Sequence, residues 1–462
     1  MLEASTPGAP TYARHRLAWL DQLAYELFRV TGRSQLMQCL WLYDREVNLA
    51  ALARTHERLA ALAFNRLIEP SPLPWGRPRW VKPAGTPIPP EQSSDPLPRS
   101  RLLEWANQHA RAPIDPVIGP AGRMAIQRFD DGSTAVSIVG SHLLLDGMGA
   151  LRVIEAAVNG TGVPSPYLPK GARGLLSGYV SDSWQILADA PRTVAALARI
   201  AHANWYRPAA PLKMPAVTAA EAGHDPSTIV ELPAVVVTVE SRAWFACEQR
   251  LGGGLNTLLP GFVASLASHL GRSRFCDGAI SLLVPINRRR GLDDERALAI
   301  EFHMMNVAPA GLTTNLRRVN ASLKALLRGA RKNQTDVLAS LLPAIAWMPR
   351  TAAKTLVNRL FNYAGELPAT CSDLGMLPDG LARIDGAPCR HVLTRAVDVN
   401  VTRQDLERSH GHLVVVGSRY DKTVSLCIEA YQMGPIPTTT DELRLVTSRT
   451  LADFGLDAII DA

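Results

Sequence analysis

Proline punctuates this chain at two places where neither a helix nor a central strand can run. Residues 70–98 hold ten prolines. Proline has no amide hydrogen to donate and its φ is fixed, so that density predicts a long surface loop. Residues 207–233 hold five more, at 208, 211, 215, 226 and 233, with no hydrophobic period. They predict a linker that divides the 462 residues into 1–206 and 234–462. Two domains suit that length, at roughly 100–200 residues per domain.

Strand and helix signals alternate on both sides of the linker. In the first half, Leu17, Leu20, Leu23, Ala24 and Leu27 recur at helical spacing. Gln35–Leu42 reads as a strand closed by the turn Asp44–Asn48, and Leu49–Leu62 and Leu102–Ala112 as helices. Met124–Phe129 and Thr134–Gly140 form a hairpin pattern about Asp130-Asp131-Gly132. The helix Met148–Val158 follows and stops at Asn159-Gly160, and 175–205 is mostly helical. In the second half, Ala234–Val239 and Ala279–Pro285 read as strands. Asn256, after the stop Gly252-Gly253-Gly254, is placed to cap a helix Thr257–His269. Helices are expected over 313–333, 338–364 and 438–454, an extended piece at Ala369–Ser372, and a hairpin from Leu413–Ser418 and Val424–Tyr431. The stripe Leu338, Leu341, Leu342, Ile345 and Met348 reads as core. This is an α/β (α+β) chain whose halves each mix a sheet with covering helices.

Composition removes several function classes. Lys plus Arg is 49 and Asp plus Glu is 42, a net charge of +7, which is low for a nucleic-acid-coating protein and suits a phosphorylated ligand or an acidic partner surface. The surplus is local. From Val284 to Leu360 stand 13 basic and 5 acidic residues. The six cysteines, at 39, 247, 276, 371, 389 and 427, make no CxxC pair, so reduced thiols and a cytoplasmic location are expected. The N-terminus lacks an apolar signal core, and no apolar run reaches the ~18 residues of a membrane span. Peripheral membrane contact stays open. His410-Gly411-His412 has ligand spacing but no third ligand nearby in sequence, so no metal is expected.

The chemistry concentrates at Ser141-His142-Leu143-Leu144-Leu145-Asp146-Gly147, directly after the buried strand of the hairpin. A loop at a strand end holds a side chain firmly while leaving it open to a cleft. Histidine is suited to general base work near neutral pH. Asp146, one turn away, can fix the loop or find a cationic partner, and Gly147 permits a tight exit into the helix.

With those residues in view, the sequence resembles the HxxxD acyltransferase superfamily, which includes chloramphenicol acetyltransferase, plant acyl-CoA acyltransferases, carrier-protein condensation domains and the wax ester synthase/diacylglycerol acyltransferases. The last group looks most similar. Its apolar N-terminal helix is matched by Leu17–Leu27 and its HxxxDG turn by His142 to Gly147. Asn256-Thr257, Val284-Pro285-Ile286-Asn287-Arg288-Arg289, Asn306-Val307-Ala308-Pro309, Ser372-Asp373-Leu374-Gly375 and Tyr420-Asp421 match later motifs, in the family's order. Ser141 stands where that branch doubles the histidine, Thr257 where it has Asp, and Asp373 where it has Asn.

The resemblance implies two chloramphenicol acetyltransferase-like subdomains set as a V with an interdomain tunnel. It implies His142 as general base in transfer of an acyl group from a thioester to an alcohol or amine, with Ser372 nearest the oxyanion position. Asp146 is implied to be structural, paired with Arg288 or Arg289 of the other half. Arg288, Arg289 and Asn256 are the expected cosubstrate contacts. The implied donor is acyl-CoA, bound as a co-substrate and not held as a cofactor. The alternative donor is an acyl-phosphopantetheine carrier protein serving a condensation-like enzyme. An acyl carrier protein and a membrane or lipid-droplet surface are the implied macromolecular partners; a non-catalytic relative is the reading outside enzymes.

Overall fold

The computed structural model describes residues 15–206, 225, 227–274, 276–291, 294–332, 368–432 and 438–461. The helix expected over 338–364, with its apolar stripe, and most of the linker 207–233 lie outside the described residues.

The strands are β1 (Ser34–Tyr43), β2 (Leu67–Glu69), β3 (Arg79–Val81), β4 (Glu91–Gln92), β5 (Gly122–Arg128), β6 (Thr134–Ser141), β7 (Ala234–Glu240), β8 (Ile280–Asn287), β9 (Ile300–Val307), β10 (Ala369–Met376), β11 (His391–Val399), β12 (His412–Tyr420), β13 (Thr423–Tyr431) and β14 (Ala458–Asp461). The helices are α1 (Trp19–Thr31), α2 (Leu49–Ala61), α3 (Leu102–Ala110), α4 (Gly147–Asn159), α5 (Leu175–Tyr206), α6 (Ser241–Arg250), α7 (Leu258–His269), α8 (Arg317–Lys332), α9 (Arg403–Ser409) and α10 (Thr440–Asp453). One sheet runs β11-β1-β6-β5-β4 and the other β14-β7-β13-β12-β10-β8-β9. Each is mixed and carries helices, which is the two-lobed α/β architecture read from the sequence.

Burial explains the central strands. All eight residues of β6 are buried, as a strand covered on both faces requires. In the second sheet, Val235, Val237, Ile280, Leu282, Val415 and Leu426 join Leu258, Phe262, Val263 and Leu266 of α7 in one apolar core. Strand β9 was not foreseen. It is the edge partner of β8, and its buried and exposed residues are mixed, so no apolar run announces it.

The loop over 70–98 needs correcting at its centre. Arg79–Val81 forms β3, paired with β2, and Trp80 and Val81 pack with Leu17 and Tyr25. The prolines bound this short strand and do not interrupt it.

The two halves of the chain also share a sheet. Strand β11 follows the linker in sequence yet pairs along β1 from Ser34↔Val399 to Leu42↔His391. Leu377, Leu381, Ile384 and Val392 sit in the core of the first lobe with Trp41, Leu52 and Ile138. Trp41 Nε1 donates to Leu381 O (2.9 Å) and Thr55 Oγ1 to Ile384 O (2.9 Å). A stretch of the second half of the chain thus completes the first sheet, closing an edge that β1 would otherwise leave unpaired.

Candidate active site

The turn after β6 is fixed from three directions. His142 N donates to Gln35 O (2.9 Å) and Leu144 N to Ser141 O (3.0 Å). The Arg66 guanidinium donates to Leu144 O through Nε (3.2 Å) and NH2 (2.6 Å), and stacks 3.8 Å from the centre of the Trp80 ring. Asp146 N donates to Ala297 O (2.8 Å), across from the second half of the chain.

The imidazole of His142 is half-buried. Burial lowers its pKa, against the opposing charges of Asp146 and Asp398 and a hydrogen bond to its own carbonyl. The ring is neutral near pH 7, the form a general base needs.

Asp146 is wholly occupied. Its Oδ1 caps α4 by accepting from Gly149 N (2.7 Å), and its Oδ2 accepts from Ala299 N (2.7 Å). Arg289 NH2 lies 2.8 Å from Oδ2, both side chains being almost fully buried. The same guanidinium donates to the carbonyls of Asp294 (2.9 Å), Arg296 (3.0 Å) and Ala297 (2.9 Å). Of the two implied partners, Arg289 is the one in contact with Asp146. These bonds leave Arg289 no donor for a cosubstrate. Arg288 pairs with Glu301 (2.7 Å).

Two glycines make the turn possible. A Cβ on Gly149 would stand 2.8 Å from Arg289 NH2, inside the ion pair. A Cβ on Gly147 would stand 3.0 Å from Leu374 Cδ2. Leu374 lies two residues beyond Ser372 in β10 and belongs to the second sheet, so that strand reaches the HxxxDG turn. Ser372 itself is half-buried, and its backbone is in register with Val416.

Asn256 does not cap α7. It sits at φ 67 in a left-handed turn, and the helix begins two residues later. The cap comes from Glu248 of α6, whose Oε1 accepts from Thr257 N (2.6 Å) and Leu258 N (2.8 Å). Burial raises the Glu248 pKa and those two amides oppose it. A carboxylate at a helix N-terminus satisfies amides that have no partner within the helix.

Sequence reasoning missed three features. Asp21 of α1 is buried and accepts from Ala297 N (3.0 Å) and Leu298 N (2.8 Å). Arg66 NH1 donates to Glu295 O (2.7 Å). Together with Asp146 they clamp residues 295–299 onto the first lobe. The third is a cluster of ligand type, Asp398, His412 and Glu429. The fold brings to His412 the partners that its spacing to His410 did not reveal. His412 Nε2 lies 3.4 Å from Asp398 and 3.2 Å from Glu429, where β11 meets β12 and β13. Two cavities among the described residues are not lined by His142. One of about 290 Å³ is lined by His56, Phe64, Ile88, Arg123 and Met124, and a smaller one by Asn256, Asp373 and Arg419.

The two-lobed mixed-sheet fold, with its histidine-bearing HxxxDG turn tied across the lobes by an aspartate–arginine pair, can be set beside known proteins. No family model matches the sequence and no curated protein matches it significantly. Solved structures do match over almost the whole chain. The first condensation domain of the calcium-dependent antibiotic synthetase, in complex with a substrate analogue, is 15% identical with a TM-score of 0.57, over 97% of this chain and 100% of that one. A variant of the starter condensation domain of rhizomide synthetase in a product-released conformation is 14% identical with a TM-score of 0.51, over 95% and 93%. Another variant of that domain, in complex with C8-CoA, is 14% identical with a TM-score of 0.50, over 96% and 94%. Identities this low establish the fold. The finer likeness to wax ester synthases rests on sequence motifs alone.

Proposed function

We propose that the protein transfers an acyl group from a thioester to an amine or alcohol, forming an amide or ester, with His142 as general base. The observation that carries this is the His142 ring: half-buried, held neutral near pH 7 by burial that lowers its pKa, and set at a strand end by backbone bonds. A ring nitrogen takes the acceptor proton as the nucleophile attacks the thioester carbonyl, and when the C–S bond breaks the protonated ring returns that proton to the departing thiolate. Asp146 and Arg289 position the turn and do not touch the reacting atoms. Ser372 is the proposed oxyanion donor, on the strand whose Leu374 abuts Gly147.

The structural neighbours, condensation domains of which one is in complex with C8-CoA, support a condensation-type enzyme over a lipid-ester synthase. Charge agrees. Helix α8 exposes Arg317, Arg318, Lys324 and Arg328 and contains no acidic residue, a surface suited to an acidic carrier helix or to CoA phosphates. The bonded arginines of the 288–296 turn are not part of that surface.

The test is thiol release from acyl-CoA and from acyl-loaded carrier protein, with a panel of amines and alcohols. His142→Ala is expected to lower the rate by ~10²–10⁴-fold with substrate binding kept. Retained transfer by that variant would remove His142 from the chemistry. A donor KM indifferent to salt would remove α8 from donor recognition.

A further inference from the structure

Two strands of the second sheet turn polar side chains away from their own core. Leu413, Val415, Ile428 and Ala430 pack with α7. Side chains alternate along a strand, so His412 and Glu429 point to the opposite face. The register sets them side by side there. His412 lies opposite Tyr431 and Glu429 opposite Val414, one diagonal apart. Asp398 reaches the same spot from β11, which belongs to the first sheet. One histidine and two carboxylates thus meet between the lobes, with their ligand-type atoms all within 4.8 Å of one another. Among the described residues this is the one group of its kind.

Hydrogen bonding does not account for the histidine. Its Nε2 is closed off from solvent and makes no hydrogen bond, although carboxylate oxygens of Glu429 and Asp398 stand 3.2 and 3.4 Å away. A proton on that nitrogen would face two acceptors and bond neither. An ion shared by all three groups fits the spacing, since ligand atoms held ~2.0–2.1 Å from a tetrahedral metal lie about 3.3–3.4 Å from each other. The carboxylates already have outer partners of the kind that orient metal ligands. Gln35 Nε2 donates to both oxygens of Asp398 (3.3 and 3.4 Å), and the Asp398 amide donates to Glu429 Oε1 (3.4 Å). Burial pushes the Glu429 carboxyl pKa up, with His412 and Arg395 opposing, so its negative charge is short of compensation. We propose that Asp398, His412 and Glu429 bind one divalent transition-metal ion, zinc by preference, which ties the completed first sheet to the second. The imidazole nitrogen selects against calcium and magnesium, which take oxygen ligands. Three protein ligands leave the fourth tetrahedral position to water. The inference does not depend on His142 or on acyl transfer, so either reading can fail without the other.

Calorimetric titration of the untagged full-length protein with Zn2+, after stripping with a chelator and dialysis, tests it. One ion per chain is expected, with a rise in the thermal midpoint, because an ion held by the folded state alone stabilises that state. Mg2+ at the same concentration is expected to do neither. His412→Gln and Glu429→Gln are each expected to weaken zinc binding about 100-fold or more, and Gln35→Ala, which removes only an outer partner, about tenfold. Cys276→Ser, which removes the exposed thiol, is expected to leave binding unchanged. Co2+ in the site is expected to show visible d–d bands without the near-ultraviolet charge transfer of a thiolate. Failure of the parent protein to take up zinc overturns the inference, as does an equal response to Mg2+ or a cobalt spectrum of thiolate type. Those three results are read on the parent, so they hold even where a variant does not fold. Parental affinity in His412→Gln, or loss of binding in Cys276→Ser, also overturns it, because the ion then sits elsewhere.

Discussion

Burial and two aspartates pull the imidazole of His142 in opposite directions, and burial wins. For the proposed base the working form is the neutral one, so activity is expected to be lost as pH falls through the folded pKa. Because that value lies below 6.5, the acid limb of kcat/KM is expected below the ordinary histidine range. Asp398→Asn deletes a charge that raises the pKa, so it is expected to move the limb to still lower pH with transfer retained. A limb that moves upward in the pH–rate profile would show that Asp398 does not act on this ring. At Asp146 the expectation concerns stability. Arg289→Met leaves a buried carboxylate without its partner and is expected to cost about 3–5 kcal/mol in urea unfolding. Gly149→Ala forces a methyl group into the same pair and is expected to cost about 1–3 kcal/mol. Full stability in both variants would show that the pair is not holding the turn.

Among the elements, those that announced themselves were the ones with short-range causes. The hairpins β5–β6 and β12–β13 were visible because a turn sits between two apolar runs, and the HxxxDG turn because its residues are neighbours in the chain. The family resemblance narrowed the partner of Asp146 to Arg288 or Arg289 but could not choose, since the choice depends on which guanidinium faces the turn. The clamp by Asp21 was invisible, because its partner amides lie 276 and 277 residues away. Asn256 misled for a related reason. A polar residue before a helix reads as a cap, whereas the cap here comes from a neighbouring helix. Two substitutions separate these roles. Glu248→Ala is expected to cost about 1–3 kcal/mol through two unsatisfied buried amides. Asn256→Gly is expected to change stability by less than about 1 kcal/mol, since glycine tolerates positive φ. A large loss in the glycine variant, measured by denaturant midpoint, would return a capping or ligand role to Asn256.

At the scale of the molecule, the crossing of β11 makes the two lobes one unit. A fragment ending within the linker would keep β1 but lose the strand that covers its edge and the apolar residues 377–392 of its core. Such a fragment is expected to self-associate, and co-expression of residues 234–462 is expected to restore a soluble complex. A monomeric, cooperatively folded fragment in sedimentation and melting experiments would refute the dependence. The same strand sets a clock on biosynthesis. Gln35 and Asp398 meet across β1 and β11 although they are 363 residues apart. At roughly 5–20 residues per second on the ribosome, β1 waits for β11 for about 20–70 s. The nascent chain therefore has to be shielded over that interval, and slowing translation between the two strands would lengthen its exposure to misassembly.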